Sequence, residues 1–422
     1  MSDAAVAWQQ APGNRWAFWH VDEFLPTRRV GASVLPRPLA TRTDAPDVAA
    51  VEVHRVDGRR GTLADVLADS YTDACLILHD GEIVFERYAE LGAPHLRHAL
   101  MSVTKPVVGC VAGILAEAGQ LDPNRAVTEY VPELEASGYR GATVRDVLDM
   151  RSGVHFREEY SNEYSEIREL DRWIHRSQRS DADDRQGLYR FLRTLRQERP
   201  HAGLFQYRSA ETDVLGWVCE RASGRQMADL MTTLVWQPMG AESDAPVICD
   251  GSGTVIHDGG LCSTLRDVAR FGQMLADGGV VPNPDGSQRT VVPARWLRQG
   301  WAVDAATRAA FAGSPAEVMF RGGWFRNQLW FRPGPFGDVL VCLGIHGQMV
   351  HVSRRTRTVC VKLSSWPDAQ RPAYLQDTVR AFDAVGGALS GTLPRDPRGR
   401  LPGVVAGVHR KGGTSRQHDS MI

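Results

Sequence analysis

Lysine is nearly absent from this chain of 422 residues, where it occurs only at positions 105, 362 and 411 among 49 basic residues. Arginine supplies the remaining basic charge, so a need for charge does not explain why a lysine is kept. Lysine differs from arginine because a buried lysine can lose its proton near neutral pH. A lysine at the start of an apolar helix is therefore a candidate for chemistry.

Targeting signals and charged surfaces for large partners are also missing. The first 16 residues have no basic region followed by an apolar core, and no run of about 18 apolar residues could span a bilayer. A net charge of -1 provides no basic excess for nucleic acid and no attraction to an anionic membrane. We therefore predict a cytoplasmic protein that binds a small molecule, not nucleic acid or membrane. A homodimer stays open.

The cysteines and histidines show no metal-binding pattern. Seven cysteines stand singly, mostly in apolar runs and without a CxxC pair, and the 13 histidines include no HExxH motif. We predict reduced thiols in the core, no metal and no cofactor.

The length predicts more than one compact unit. Residues 1–60 are interpreted as an N-terminal extension packed on the body, and 61–388 as the main domain. A mainly helical lobe is expected as an insertion at about 125–240. Residues 389–422, rich in Gly, Pro, Arg and Ser, are predicted to be a disordered tail.

Strand patterns occur on both sides of the helical segment. The stretch ACLILHDGEIVFERY joins two apolar runs through Asp80-Gly81, a dipeptide typical of tight β-hairpin turns. Three runs near the C-terminus, WFRNQLWFR, DVLVCLGIHGQMVHV and RTVCVKLSSW, are rich in β-branched and aromatic residues. The pattern predicts an α+β fold with an antiparallel sheet flanked by helices.

The first chemical motif is Ser102-Val103-Thr104-Lys105 at the start of an apolar helix. Positions three apart share a helix face, so the amine can contact the hydroxyl. An amine whose pKa is lowered by burial could activate the serine, and the Ser102 N–H could hold an oxyanion. The alternative is an ordinary polar pair at a buried helix start.

The second motif, Phe205-Gln206-Tyr207-Arg208-Ser209, precedes another helix pattern. A tyrosine near Lys105 could carry a proton. From these residues alone, a tyrosine that caps the core is the other reading.

The third motif, GIHGQ at 344–348, is assigned to a strand. Glycines inside a strand indicate close approach of another group to the backbone, such as a substrate. An N–H here could complete an oxyanion hole with that of Ser102, whereas a plain bend or bulge is the alternative.

Together the three motifs resemble the class C β-lactamase-like serine hydrolases, which share SxxK, YxN or YxS, and a KTG or HxG motif. The similarity is greatest to the 6-aminohexanoate-dimer hydrolases, the nylon-oligomer amidases, and covers roughly residues 8–385. Matching segments include WQQAPGNRWAF, LMSVTK, FQYRSAETDVLGW, GGLCSTLRDVARFGQML and VKLSSWP. The resemblance implies a β-lactamase/transpeptidase-like fold.

The resemblance also implies the roles of the site residues. Ser102 would be the nucleophile, Lys105 the general base and Tyr207 the proton shuttle, with the N–H groups of Ser102 and Ile345 as oxyanion hole. Tyr160 would contact the scissile amide, Asp171 would assist turnover of amide dimers and Trp330 would be a mobile residue closing the cleft. The full set of expected substrate-binding residues is Tyr160, Asp171, Ser209, Asp258, Trp330 and His346.

Two departures from the resemblance concern the substrate. Asp258 stands where relatives tend to have Asn, and the loop at about 157–200 differs in length and charge. No K-[ST]-G triplet exists, because Lys362 is followed by Leu-Ser, so strong β-lactamase activity is not expected.

We predict a serine hydrolase of small amides or esters, plausibly an amidase of the 6-aminohexanoate-dimer type with carboxylesterase activity. A catalytically silent binding protein and an acyltransferase are the alternatives.

Overall fold

A seven-stranded antiparallel sheet forms the centre of the protein. The computed structural model describes residues 8–179, 187–283 and 285–391. The strands of this sheet are β1 (Thr72–His79), β2 (Glu82–Tyr88), β3 (Trp324–Arg326), β4 (Leu329–Gly334), β5 (Gly337–Gly344), β6 (Gln348–Ser353) and β7 (Thr358–Ser364). Their spatial order is β3-β4-β5-β6-β7-β1-β2, so the N-terminal hairpin joins the C-terminal strands through pairing of β7 with β1. The predicted α+β fold and antiparallel sheet are confirmed.

The turn between β1 and β2 is the predicted one. Asp80 and Gly81 both have positive φ, +56° and +81°, as a tight two-residue hairpin turn requires. His79 and Glu82 flank this turn as paired residues.

Helices cover both faces of the sheet. The principal helices are α1 (Leu63–Asp69), α2 (Thr104–Glu117), α3 (Ser209–Ser223), α4 (Leu265–Ala276) and α5 (Pro372–Ser390). Alternate strand residues point to opposite faces. Leu76 and Leu78 therefore join the core shared with α2, α3 and α4, whereas Cys75 and Ile77 join a second core against α1 and α5.

The segment expected to form a helical lobe contains helices and, among its described residues, no named strand. Besides α3, its helical segments are Val127–Tyr130, Pro132–Leu134, Val144–Leu148, Glu166–Arg179, Leu188–Leu192, Met227–Leu230 and the π-helical Met231–Trp236. The other short helical segments are Asn14–Ala17, Val21–Glu23, Val48–Ala50, Met101–Val103, Ala294–Trp301, Ala305–Ala312, Ala316–Met319 and Ile345–Gly347. The other short strands are Thr27–Val30, Glu52–His54, Arg60–Thr62, His98–Ala99, Ala245–Ile248, Cys262–Ser263, Val280–Pro282 and Gln288–Thr290.

The N-terminal extension is integrated into the body. Its strand Thr27–Val30 pairs with Ala245–Ile248, and the side chain of the buried Asn14 donates to the carbonyl of Trp366 at 3.0 Å. At the other end, α5 continues to Ser390, two residues into the predicted tail. Residues 392–422 of that tail lie outside the described residues.

All seven cysteines are buried and none forms a disulfide, as predicted. Within the described ranges, no helix combines the length and apolarity needed to cross a membrane. The same residues contain no cluster of three or more His, Cys, Asp or Glu side chains arranged to hold a metal ion.

Candidate active site

Ser102 lies in a 3₁₀ turn, Met101–Val103, that leads directly into α2. Met101 has a φ of +49°, a conformation that non-glycine residues rarely adopt and that often accompanies functional sites. The Nζ atom of Lys105 donates to Ser102 Oγ at 2.8 Å. The structure thus brings together the first pair that the sequence singled out.

The amine of Lys105 is enclosed by hydrogen-bond acceptors. Besides Ser102, it donates to Ser209 Oγ at 3.0 Å and to the carbonyl of Asp258 at 2.7 Å, and its side chain is 1% exposed. An ammonium group has three protons to donate, so these three acceptors satisfy it. Ser209 and Asp258, both predicted as substrate-binding residues, hold the lysine in this arrangement.

The expected lowering of the Lys105 pKa is wrong. Burial lowers the pKa of Lys105, but the electrostatic influence of Tyr207, Asp258, Glu158 and Asp213 outweighs it, so the pKa is raised above its ordinary value. The sequence did not show this effect on the pKa, because the acidic residues come from separate parts of the chain and meet only in the folded protein. The direction of this shift favours the ammonium form of Lys105 in the resting site.

Tyr207 lies beside this ammonium, with Lys105 Nζ 5.2 Å from its ring centroid. Burial raises the pKa of Tyr207 to about 12, while Lys105 and the hydroxyl of Ser102 act in the opposite direction. The tyrosine ring stacks on Trp330, with centroids 5.1 Å apart. The phenol is thus held next to both residues of the serine-lysine pair.

Trp330, the residue expected to close the cleft, lies in the sheet beside Tyr207. It belongs to β4, is 6% exposed and packs against Phe205, Phe320 and Phe325. In this position it packs on the ring of Tyr207, and its expected movement to close the cleft stays a prediction.

Glu158 is a site residue that the sequence reasoning missed. Its carboxylate accepts hydrogen bonds from the backbone N–H of Ser209 and, at 3.1 Å, from the hydroxyl of Tyr160. Burial raises the pKa of Glu158, and Lys105 opposes this rise. Its position two residues before Tyr160 was the only available signal, and its contact with the start of α3 could not be read from the chain.

A second missed carboxyl group, Asp213, lies on α3 and is fully buried. It accepts the backbone N–H of Asp258 at 3.1 Å. Burial, followed by the charge of Asp258, raises the pKa of Asp213 well above its ordinary value. Asp258 Oδ2 itself lies 3.5 Å from Lys105 Nζ, so the Asp that replaces the expected Asn places a carboxylate beside the lysine.

A narrow cleft of about 80 Å³ opens onto Ser102. Tyr160, Asp171 and Asp258 line it, as do Trp8 and Gln9 of the N-terminal extension, whose share in the site the sequence reasoning missed. Its other apolar lining residues are Leu25, Met101, Ile167, Ile174, Ile248, Ile256 and Ile345.

Asp171 is held at the cleft by Arg168, which donates to its carboxylate at 3.1 Å. Burial raises the pKa of Asp171 to about 7, although Arg168 opposes the rise. Since 31% of the side chain is exposed, solvent screens part of this effect.

The GIHGQ motif is not on a strand, contrary to expectation. β5 ends at Gly344, a 3₁₀ turn covers Ile345–Gly347, and β6 starts at Gln348. The turn forms because His346 and Gly347 take φ values of +59° and +93°. Ile345 lines the cleft, but His346 is 3% exposed and packs on Phe18, so the substrate contact expected of His346 is wrong.

The fold and the serine-lysine-tyrosine arrangement define a serine hydrolase of the penicillin-recognising type. Residues 63–385 match the model of the Beta-lactamase family, and the chain belongs to this family.

Among known proteins, the chain is 38% identical over 397 residues to the 6-aminohexanoate-dimer hydrolase of Paenarthrobacter ureafaciens, covering 90% of this chain and 94% of that protein. The solved structure of a Bacillus anthracis protein, provisionally named a 6-aminohexanoate-dimer hydrolase, superposes with a TM-score of 0.79 at 22% identity, covering 91% of this chain and 96% of the other. A hydrolase with promiscuous acyltransferase activity superposes with a TM-score of 0.58 at 16% identity, covering 77% and 97%. The predicted resemblance is confirmed.

Proposed function

We propose that the protein is an amidase and carboxylesterase that cleaves small linear substrates through an acyl-enzyme on Ser102. The observation that carries the proposal is the 2.8 Å contact between Lys105 Nζ and Ser102 Oγ at the base of a cleft, with Tyr207 beside both. Burying a charged amine is energetically costly. A buried lysine beside a hydroxyl that lines a cleft is therefore better explained by a role in catalysis than by a structural role.

The reactive form of the site has one proton fewer than the resting form, and this proton is lost from the pair formed by Lys105 and Tyr207. Either the amine is neutral or the phenol is ionised, and the two forms belong to one coupled titration. Ser102 Oγ attacks the carbonyl carbon and its proton passes to this pair. The backbone N–H groups of Ser102 and Ile345 are the proposed donors to the resulting oxyanion.

Tyr207 then delivers the proton to the leaving nitrogen or oxygen, and the bond from the carbonyl carbon to that atom breaks. A water molecule attacks the acyl-enzyme and gives its proton to the same pair. The carboxylic acid leaves and Ser102 recovers its proton, so the cycle is balanced without a cofactor.

The cleft favours linear and apolar acyl chains. Five Ile side chains and one Leu line it, its acidic side chains are Asp171 and Asp258, and none of its lining residues is Lys or Arg. Because no Lys or Arg lines the cleft to bind the carboxylate of a lactam antibiotic, linear amides fit it better. The name of the Paenarthrobacter ureafaciens relative supports a 6-aminohexanoate dimer as a first substrate to test. The buried cysteines, which form no disulfide, support a reducing compartment such as the cytoplasm. A homodimer stays a prediction.

A substrate panel tests the proposal. We expect turnover of p-nitrophenyl butyrate and of the linear 6-aminohexanoate dimer, and little hydrolysis of a chromogenic cephalosporin. Ser102→Ala should abolish turnover, whereas Ser314→Ala, a change at a serine that is also 7% exposed, should retain it. A Ser102→Ala protein that keeps the rate would refute the mechanism, and transfer of the acyl group to added butanol in preference to water would indicate an acyltransferase.

A further inference from the structure

Lys362 is a second buried lysine that the proposed reaction does not use. It lies on β7 and is fully buried, and no described Asp or Glu side chain lies within 4.0 Å of its Nζ atom. The amine donates to the carbonyl of Ser70 at 3.3 Å and to Ser364 Oγ, and it lies 5.2 Å from the ring centroid of Trp366.

The surroundings of Lys362 explain why an arginine-rich protein keeps a lysine there. Its neighbours across the strands are Cys75 and Met349, and the ionisable groups that face it are Cys75 and Asp73. Burial lowers the pKa of Lys362 to about 7, and Cys75 and Asp73 oppose this only in part. An arginine would stay fully charged at such a site, which is costly without a carboxylate partner.

One chain of contacts leads from Lys362 through Ser364 to the cleft. The Ser364 N–H donates to Gln348 Oε1 at 3.0 Å, and the Ser364 carbonyl accepts from Gln348 Nε2 at 2.7 Å. The same amide nitrogen of Gln348 donates to the carbonyl of Ile345 at 3.2 Å. Gln348 is 1% exposed, so water does not compete for these bonds.

A second chain of contacts leads through Trp366 to the same turn. The indole N–H shares the Ser70 carbonyl with Lys362, at 2.9 Å, and the Trp366 backbone N–H donates to the carbonyl of His346 at 3.1 Å. A Cβ atom on Gly347 would lie 2.3 Å from the Trp366 ring, so the ring fits directly against the turn. Both chains therefore end within Ile345–Gly347.

We propose that Lys362 is a positioning residue that fixes the turn Ile345–Gly347, and with it the second oxyanion donor, through Ser364, Gln348 and Trp366. The inference rests on the proposed function, because the turn matters to the rate only if the Ile345 N–H serves the reaction at Ser102. Close packing supports this coupling, since a Cβ atom on Gly344 would lie 2.7 Å from the carbonyl of Leu100, two residues before Ser102.

The test compares kcat and KM for p-nitrophenyl butyrate in three variants of the full chain. Lys362→Met keeps the length of the side chain and removes its donors, so we expect kcat to fall about 10- to 100-fold, because small misplacements of catalytic groups cost rates of this order. KM should stay within about twofold, since oxyanion donors act mainly in the transition state. Ser364→Ala should also lower kcat, but by a smaller factor than Lys362→Met.

Thr358→Val is the matched control. It removes a fully buried hydroxyl that bonds Thr356 at 2.8 Å at the opposite end of β7, so it should lower the melting temperature but leave kcat unchanged. A wild-type kcat for Lys362→Met overturns the proposal. The proposal is also overturned if Thr358→Val and Lys362→Met lower the melting temperature equally and lower kcat by the same factor. Should Lys362→Met fail to fold, a wild-type kcat for Ser364→Ala overturns it equally.

Ser102→Ala separates this proposal from the proposed function. If Ser102→Ala is inactive while Lys362→Met and Ser364→Ala turn over like the wild type, only the positioning proposal fails. If Ser102→Ala keeps the wild-type rate, the proposed function fails and the positioning proposal fails with it.

Discussion

Three acidic groups and a phenol surround Lys105 and raise its pKa, and this shift bears on the pH dependence expected of the reaction. The reactive form requires loss of one proton from the pair of Lys105 and Tyr207. Every neighbouring negative charge raises the pKa of Lys105. The reactive form is therefore populated only at higher pH. We therefore expect kcat/KM to rise towards alkaline pH.

Asp258→Asn should move the acidic limb of the kcat/KM profile to lower pH. The substitution removes a carboxylate 3.5 Å from Lys105 Nζ and keeps the backbone carbonyl that accepts its hydrogen bond. Removal of a negative charge lowers the pKa of Lys105, so the reactive form is populated at lower pH. The measurement is kcat/KM for an ester between pH 5 and 10, and a limb that stays in place or moves to higher pH would contradict this account.

Tyr207→Phe should affect amides more than esters. The ring and its stacking on Trp330 remain, but the group that delivers a proton to the leaving atom is lost. Since an amine leaves only when protonated, we expect kcat for the 6-aminohexanoate dimer to fall about 10²- to 10⁴-fold, the usual contribution of general acid-base catalysis. A p-nitrophenolate leaves without help, so its kcat should fall less, and equal losses for both substrates would argue against this role.

At the scale of single residues, the SxxK spacing was sufficient to place Lys105 beside Ser102, whereas Tyr207 was assigned through the resemblance to a known family. The sequence could not supply the charge state of Lys105. Glu158 and Asp213 reach the site from a loop and from α3, and nothing in their local sequence shows that they face the same amine.

At the scale of elements, α3 packs its middle against the segment that carries Asp258. Gly216 lies on this helix, and a Cβ atom there would lie 2.2 Å from the ring of His257, which is fully buried. Glycine usually weakens a helix by about 1 kcal/mol relative to alanine. Here the absence of a side chain is what lets His257 and Asp258 approach α3.

Gly216→Ala should therefore destabilise the protein, although alanine favours helices. We expect overpacking to lower the free energy of unfolding by about 1–3 kcal/mol, measured by urea denaturation. Adding His257→Ala removes the ring that the new methyl group meets, so the double variant should be more stable than the sum of the two single losses predicts. Additive losses would show that the two residues do not meet.

The hairpin of β1 and β2 and the starts of α2 and α3 were predictable because their turn and helix signals are local. The turn at Ile345–Gly347 was not, since the run DVLVCLGIHGQMVHV reads as one continuous strand. The chain reverses there because His346 takes a left-handed conformation and its ring packs on Phe18, a contact with the distant N-terminal extension.

At the scale of the whole molecule, Asp149 joins the helical lobe to the sheet. Its carboxylate, 2% exposed, accepts from Arg326 at 2.8 Å, from the Asn327 N–H at 3.1 Å and from Arg145 at 3.4 Å. Arg145 belongs to the lobe, whereas Arg326 and Asn327 belong to the β3–β4 hairpin. The buried carboxylate therefore holds the lobe against the hairpin.

Asp149→Ala should lower the free energy of unfolding by about 3–5 kcal/mol, because it leaves two guanidinium groups without their buried partner. Glu52→Ala is the control, since it removes an exposed ion pair with Arg60, whose side chains are 57% and 71% exposed. The control should change the unfolding free energy by less than about 1 kcal/mol. Equal effects in urea denaturation would contradict the role given to Asp149.

The central claim is that Ser102 is the nucleophile activated by Lys105 and Tyr207, and covalent labelling tests it most directly. The full-length protein is treated with a fluorophosphonate and the modified peptide is identified by mass spectrometry. The account predicts a single adduct on Ser102, formed much more slowly in Lys105→Met and absent in Ser102→Ala. An adduct on another serine, or undiminished labelling of Ser102→Ala, would contradict it.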